Sequence, residues 1–100
     1  MPNDYHTQAQ LGRTKRLREL QHELPDFCSD YFMAIEQQTS VLTRLSYAYD
    51  LKLFFQYLSS ELPKFSGKPV TEFTAADISQ VTKQDLERYA RYLALYIKNE

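Results

Sequence analysis

Apolar residues recur along this chain at helical intervals, with no run of strict alternation that would suggest a strand. Leu17, Leu20 and Leu24 stand at i, i+3 and i+7, on one face of a helix within Arg13–Glu23 and just beyond it. Leu24-Pro25-Asp26 reads as the start of a second helix. Proline at the first helical position gives up only an N–H that has no partner there, and the aspartate beside it meets the positive end of the helix dipole. Phe27, Cys28, Tyr31, Phe32 and Ile35 then form a single stripe. Gln37-Gln38-Thr39-Ser40 interrupts it and offers Thr39 and Ser40 as N-caps. The next helix is long, running from Val41 to Leu62. Its buried face is read as Tyr47, Leu51, Phe54 and Leu58, overlapping Leu51, Phe55, Leu58 and Leu62. Thr43, Ser46, Tyr49 and Asp50 lie away from that face.

Pro63 to Pro69, with two prolines and a glycine, is a loop. Beyond it, Thr74 with Asp77 and Thr82 with Asp85 have capping-box spacing, although aspartate reaches back less well than glutamate. These boxes predict one helical turn from Ala75 and a full helix from Lys83. The apolar face of that last helix is read as Leu86, Tyr89, Ala90, Leu93 and Ile97, with Arg88, Arg91 and Lys98 off it. The pattern therefore predicts an all-α bundle of about four helices, monomeric in isolation. Residues 1–12 are polar, lack periodicity and are expected to fray, so residues 1–23 read as a partly basic N-terminal arm, helical in its second half. Residues 24–100 read as the folded helical domain.

Composition adds limits. One hundred residues with 43% hydrophobic and 25% charged side chains suit one modest core. No stretch approaches the ~20 apolar residues that cross a bilayer, and no apolar run follows the first charges, so neither a membrane partner nor a secretory signal is expected. The only thiol, Cys28, cannot form an internal disulfide, which fits a reducing, cytoplasmic setting. It lies in an apolar stripe and reads as a small buried hydrophobe. Gly12 and Gly67 are too far apart for a phosphate-cradling loop, and His6 and His22 have no ligand cluster around them, so no cofactor or metal is expected. No catalytic acid, base and nucleophile read together, and a complete enzyme is not expected. The net charge of −1 hides segregation, with four cations between Arg13 and Arg18 and an acidic excess from residue 24 to 63.

Two stretches change the picture. Leu42-Thr43-Arg44-Leu45-Ser46-Tyr47-Ala48-Tyr49-Asp50-Leu51 continues to Phe54-Phe55-Gln56-Tyr57-Leu58. Phe73-Thr74, Asp77-Ile78, Val81-Thr82, Asp85-Leu86, Tyr89 and Tyr92-Leu93 follow the loop. In this order they resemble the N-terminal core-binding domain of tyrosine recombinases, or phage integrases, over about residues 24–97. The resemblance implies a small SAM-like helical bundle that clamps duplex DNA during integration and recombination. Strand transfer in that family belongs to a separate C-terminal domain, and sister recombinase subunits are the expected protein partners. The chain is accordingly expected to stop before the catalytic domain, and none of its eight tyrosines is assigned as the nucleophile. By spacing and by resemblance alike, Tyr47 and Tyr89 read as core residues.

The same resemblance turns the start of the long helix toward DNA. It implies contacts from Ser40, Thr43 and Ser46, with Arg44 and Lys52 supplying charge and Arg13, Lys15 and Arg16 in reserve on the arm. Hydroxyls and helix N-terminal amides bind phosphates and set register without reading bases. Family members often carry bases where Leu42, Ala48 and Tyr49 stand here. The alternative from a different class is a helical protein-interaction module whose aromatic stripes pack on a partner. Steep weakening by salt would mark the first reading and not the second.

Overall fold

In a computed structural model, which describes the backbone of residues 4–98 and the side chains of residues 7–96, the chain is helical throughout its regular structure. Helix α1 spans Asp4–His22, α2 Phe27–Ile35, α3 Val41–Glu61, α4 Ala75–Ile78 and α5 Lys83–Lys98. Two 3₁₀ turns, Pro63–Phe65 and Val70–Glu72, shape the connection between α3 and α4. Among the described residues there is no strand, and no helix is long and apolar enough to cross a membrane.

Helix α1 begins at Asp4, well before the segment from Arg13 that the apolar spacing marks as helical. Propensity outweighs the missing periodicity, since Gln, Ala, Leu, Arg and Lys are good helix formers even without an apolar face. Leu17, Leu20 and Leu24 are all buried in the same core as Phe32 and Leu58. Residues before position 24 therefore help to build the bundle.

Helices α1 and α3 run side by side in the same direction, because Arg16 meets Tyr49 and Glu23 meets Lys52. Helix α2 lies antiparallel to α3, with Phe27 against Phe55 at one end and Arg44 against the Glu36 carbonyl at the other. Entry into α2 is a tight turn in which Cys28 N donates to the Pro25 carbonyl, and the Asp26 side chain makes no cap bond.

The central helix buries Val41, Ala48 and Phe55, continued by Leu62 just past its end, one residue in every seven. That heptad spacing keeps one line of residues turned inward, and Tyr57 and Leu58 are buried beside it. Tyr47, expected in the core, is 40% exposed, while its neighbour Ala48 is fully buried. Helix α3 carries apolar residues around most of its circumference, so several stripes fit its sequence. Packing against α1 and α2 selects the one containing Ala48, where a methyl group allows close approach.

At the far end, Phe55, Phe73 and Phe65 make a chain of ring contacts, and Tyr57 reaches Tyr89 and Tyr92 of α5 at 5.0 and 4.9 Å. Helix α5 is turned roughly a quarter turn from the expected face. Asp85 is buried and Tyr89 and Tyr92 pack on the core, whereas Leu86 is 49% exposed and Ala90 is exposed. The packing of Ile97 lies outside the described residues.

Both threonine–aspartate boxes form, and each aspartate also holds a lysine from the loop. Thr74 and Asp77 exchange bonds of 2.9 and 3.2 Å, with Lys68 Nζ 2.8 Å from Asp77. Thr82 and Asp85 exchange bonds of 2.9 and 3.1 Å, with Lys64 Nζ 2.6 Å from Asp85. Gly67, at φ +71°, turns the backbone so that its N–H donates to the Ser59 carbonyl. A side chain is strained in that region of φ, which is why glycine stands there.

Candidate nucleic-acid interface

Charge is distributed very unevenly over this fold. No carboxylate occurs from Tyr5 to Arg18 in α1, nor from Val41 to Tyr49 in α3. Those two stretches are laid alongside each other by the parallel packing of the helices. Between them they carry Arg13, Lys15, Arg16, Arg18 and Arg44. The positive dipole end of α3 also lies in this part of the molecule. Glu19, paired with Arg16, and Glu36 border this region, yet within the two stretches a chain of net charge −1 gathers five cations.

The expected site residues hold different positions within it. Ser40 is the N-cap of α3, where its Oγ accepts from Thr43 N at 3.1 Å and pairs with Thr43 Oγ1 at 3.0 Å. Ser46 lies one turn further on and is exposed, and Thr43 is half-buried. Arg44 reaches back across the α2–α3 break. Its Nη1 donates to the Glu36 carbonyl at 2.9 Å and to the Thr39 carbonyl and hydroxyl at 2.5 and 3.1 Å. One edge of the guanidinium thereby ties the C-cap residue of α2 to the link that leads into α3.

Lys52 lies away from this region, in an ion pair with Glu23 at 2.9 Å. The lysine ammonium, through that hydrogen bond and its charge, holds the Glu23 carboxyl below its ordinary range. Arg16 pairs with Glu19 at 3.1 Å, donates Nε to the Tyr49 hydroxyl at 2.9 Å and lies over the Tyr49 ring. Lys15 is exposed and Arg13 half-buried, and neither has a carboxylate partner among the described residues. The structure thus brings Ser40, Thr43, Arg44 and Ser46 together at the start of α3, sets Arg13, Lys15 and Arg16 beside them on α1, and leaves Lys52 apart.

Sequence reasoning passed over Arg18. It is exposed, and it lines a groove of about 240 Å³ with Arg44, Thr14, Gln21 and Ser29, where α1 crosses the end of α2 and the start of α3. Its signal was present in the run Arg13-Thr14-Lys15-Arg16-Leu17-Arg18, but the partner across the groove is a tertiary fact.

An apolar trough occupies a different face. Phe27, Tyr31, Leu51, Phe54 and Ile78 line one half, and Leu53 of α3 with Tyr89, Leu93 and Tyr96 of α5 continues it. No protein-family model, curated protein or solved structure matches this chain.

Proposed function

We propose that this chain is a helical DNA-binding module of the kind its sequence resembles, the core-binding domain of a tyrosine recombinase, which holds duplex DNA while a separate domain transfers strands. The observation that carries this reading is the pairing of two carboxylate-free stretches, Tyr5 to Arg18 of α1 and Val41 to Tyr49 of α3, with five cations between them and the hydroxyls of Ser40, Thr43 and Ser46 at the N-terminus of α3. Such an arrangement suits phosphates. Hydroxyls, guanidinium groups and N-terminal amides fix a protein on the backbone without reading sequence. Binding through it is weak and largely sequence-independent, and it falls with salt. At about 0.9 per neutralised phosphate, the slope of log K against log salt lies at about −2 to −4.

Fluorescence anisotropy with a labelled duplex at several salt concentrations tests this. Lys15→Glu should weaken binding to unrelated duplexes alike. Absence of binding at low salt, or affinity indifferent to salt, removes the DNA reading. The apolar trough between α2, α3 and α5 favours a second reading, a module that packs its aromatic face on a protein partner. In that case Leu93→Asp abolishes a salt-insensitive association and Lys15→Glu leaves it intact.

A further inference from the structure

The geometry points to a discrete phosphate subsite in the groove between α1, α2 and the start of α3, where Arg18 and the free edge of Arg44 grip one backbone phosphate of duplex DNA. The inference rests on the DNA-binding reading above and goes beyond it by naming the atoms that do the gripping. Three acceptors hold Arg44 Nη1, at 2.9, 2.5 and 3.1 Å. Its Nε and Nη2 have no acceptor among the described residues. A guanidinium fixed by one edge presents the other without first losing the freedom of a long side chain, and its planar fork matches two phosphate oxygens.

Arg18 lines the same groove and has no carboxylate partner among the described residues. Gln21 and Ser29 add neutral donors on the groove wall. Glu36 also lines the groove, yet neither arginine forms an ion pair with its carboxylate, so both guanidinium charges are left to an incoming anion.

Two variants separate the roles. Arg18→Gln removes one cation without touching the α2–α3 corner, and it should make the salt slope shallower by about 0.9. Arg44→Lys keeps the charge but loses the fork, so affinity should fall about tenfold, as for one charge-assisted hydrogen bond, with the slope nearly unchanged. The double variant should lose less than the two effects combined, because both side chains serve one phosphate. Thermal unfolding of each variant shows whether the corner survives. If Arg44→Lys unfolds, the slope of Arg18→Gln alone decides the matter.

Wild-type affinity and slope in Arg18→Gln, with the wild-type protein binding duplex, overturn the subsite and leave the broader DNA reading standing. A wild-type protein that binds no duplex at low salt overturns both. Titration with inorganic phosphate, followed by amide shifts, supplies the other arm. Shifts at Arg18, Gln21, Ser29 and Arg44 without duplex binding assign the groove to a free anion and overturn its role in DNA binding.

Discussion

Desolvation of Cys28 in the packing between α2 and α3 pushes its thiol up to about 11. Because the thiolate is the reactive form, the folded protein at pH 8 should resist a disulfide reagent such as DTNB and react fully once unfolded in urea. Fast labelling of the native protein would mean that α2 opens readily. Two neighbours on α3 test the register of the central helix in the same way. Ala48 is fully buried and Tyr47 is 40% exposed. Ala48→Leu overpacks the buried line and should lower stability by about 1–3 kcal/mol, while Tyr47→Ala should stay within about 0.5 kcal/mol. Urea denaturation of the two variants checks this, and the reverse order would restore the stripe expected from periodicity alone.

At the scale of elements, the loop after α3 works through two similar clamps. Each helix that follows it begins with a threonine–aspartate box, and each box aspartate takes a lysine from the loop. Thr82→Ala removes the cap of α5 and should cost about 1 kcal/mol, which lowers Tm by about 4–8 °C in a domain of this size. The hydrogen bond from Lys64, followed by that from the Thr82 backbone, brings the Asp85 carboxyl down to about 2 from an ordinary 3.8. A carboxyl depressed in the folded state stabilises the fold above its unfolded pKa, and that contribution is lost as pH falls from about 4 through 2. Asp85→Asn should therefore lower the unfolding midpoint at pH 7 and have a much smaller effect near pH 2. An equal loss at both values would mean that the ion pair contributes nothing. Gly12 tests α1 similarly. It sits inside the helix with open space where a Cβ would stand. Gly12→Ala should stabilise by about 1 kcal/mol if α1 is continuous through that point.

For the molecule as a whole, α1 is a structural member and also carries four of the chain's twelve lysines and arginines. Leu20 is fully buried, and Leu20→Ala should cost about 2–5 kcal/mol in a single cooperative transition that α2 and α3 share. A separate early transition for α1 would instead make it an appended arm. The placement of α1 also explains how a nearly neutral chain acquires a cationic region. Two stretches that the sequence separates by more than twenty residues, each free of carboxylates, are brought together by parallel packing.

Much of this architecture was legible along the chain because it depends on local physics. Ser40 as a cap, the break before it, the proline loop and both threonine–aspartate boxes follow from backbone groups finding partners within four residues. The buried heptad line of α3 and the face α5 turns inward were not legible in this way. Where apolar residues surround a helix, periodicity permits several faces, and only the neighbours decide between them. Tilted ring contacts of Tyr57 with Tyr89 and Tyr92 set the rotation of α5, and Lys64 fixes it at Asp85. The candidate site divides along the same line. Its hydroxyls and cations stand in the sequence, but which cations remain available was decided in three dimensions. Lys52 is drawn into a pair with Glu23 and Arg44 has one edge tied to the end of α2, while Arg18 is left facing Arg44 across the groove. A side chain's charge is a property of the sequence, whereas the partner that uses it comes from a segment the chain brings near only on folding.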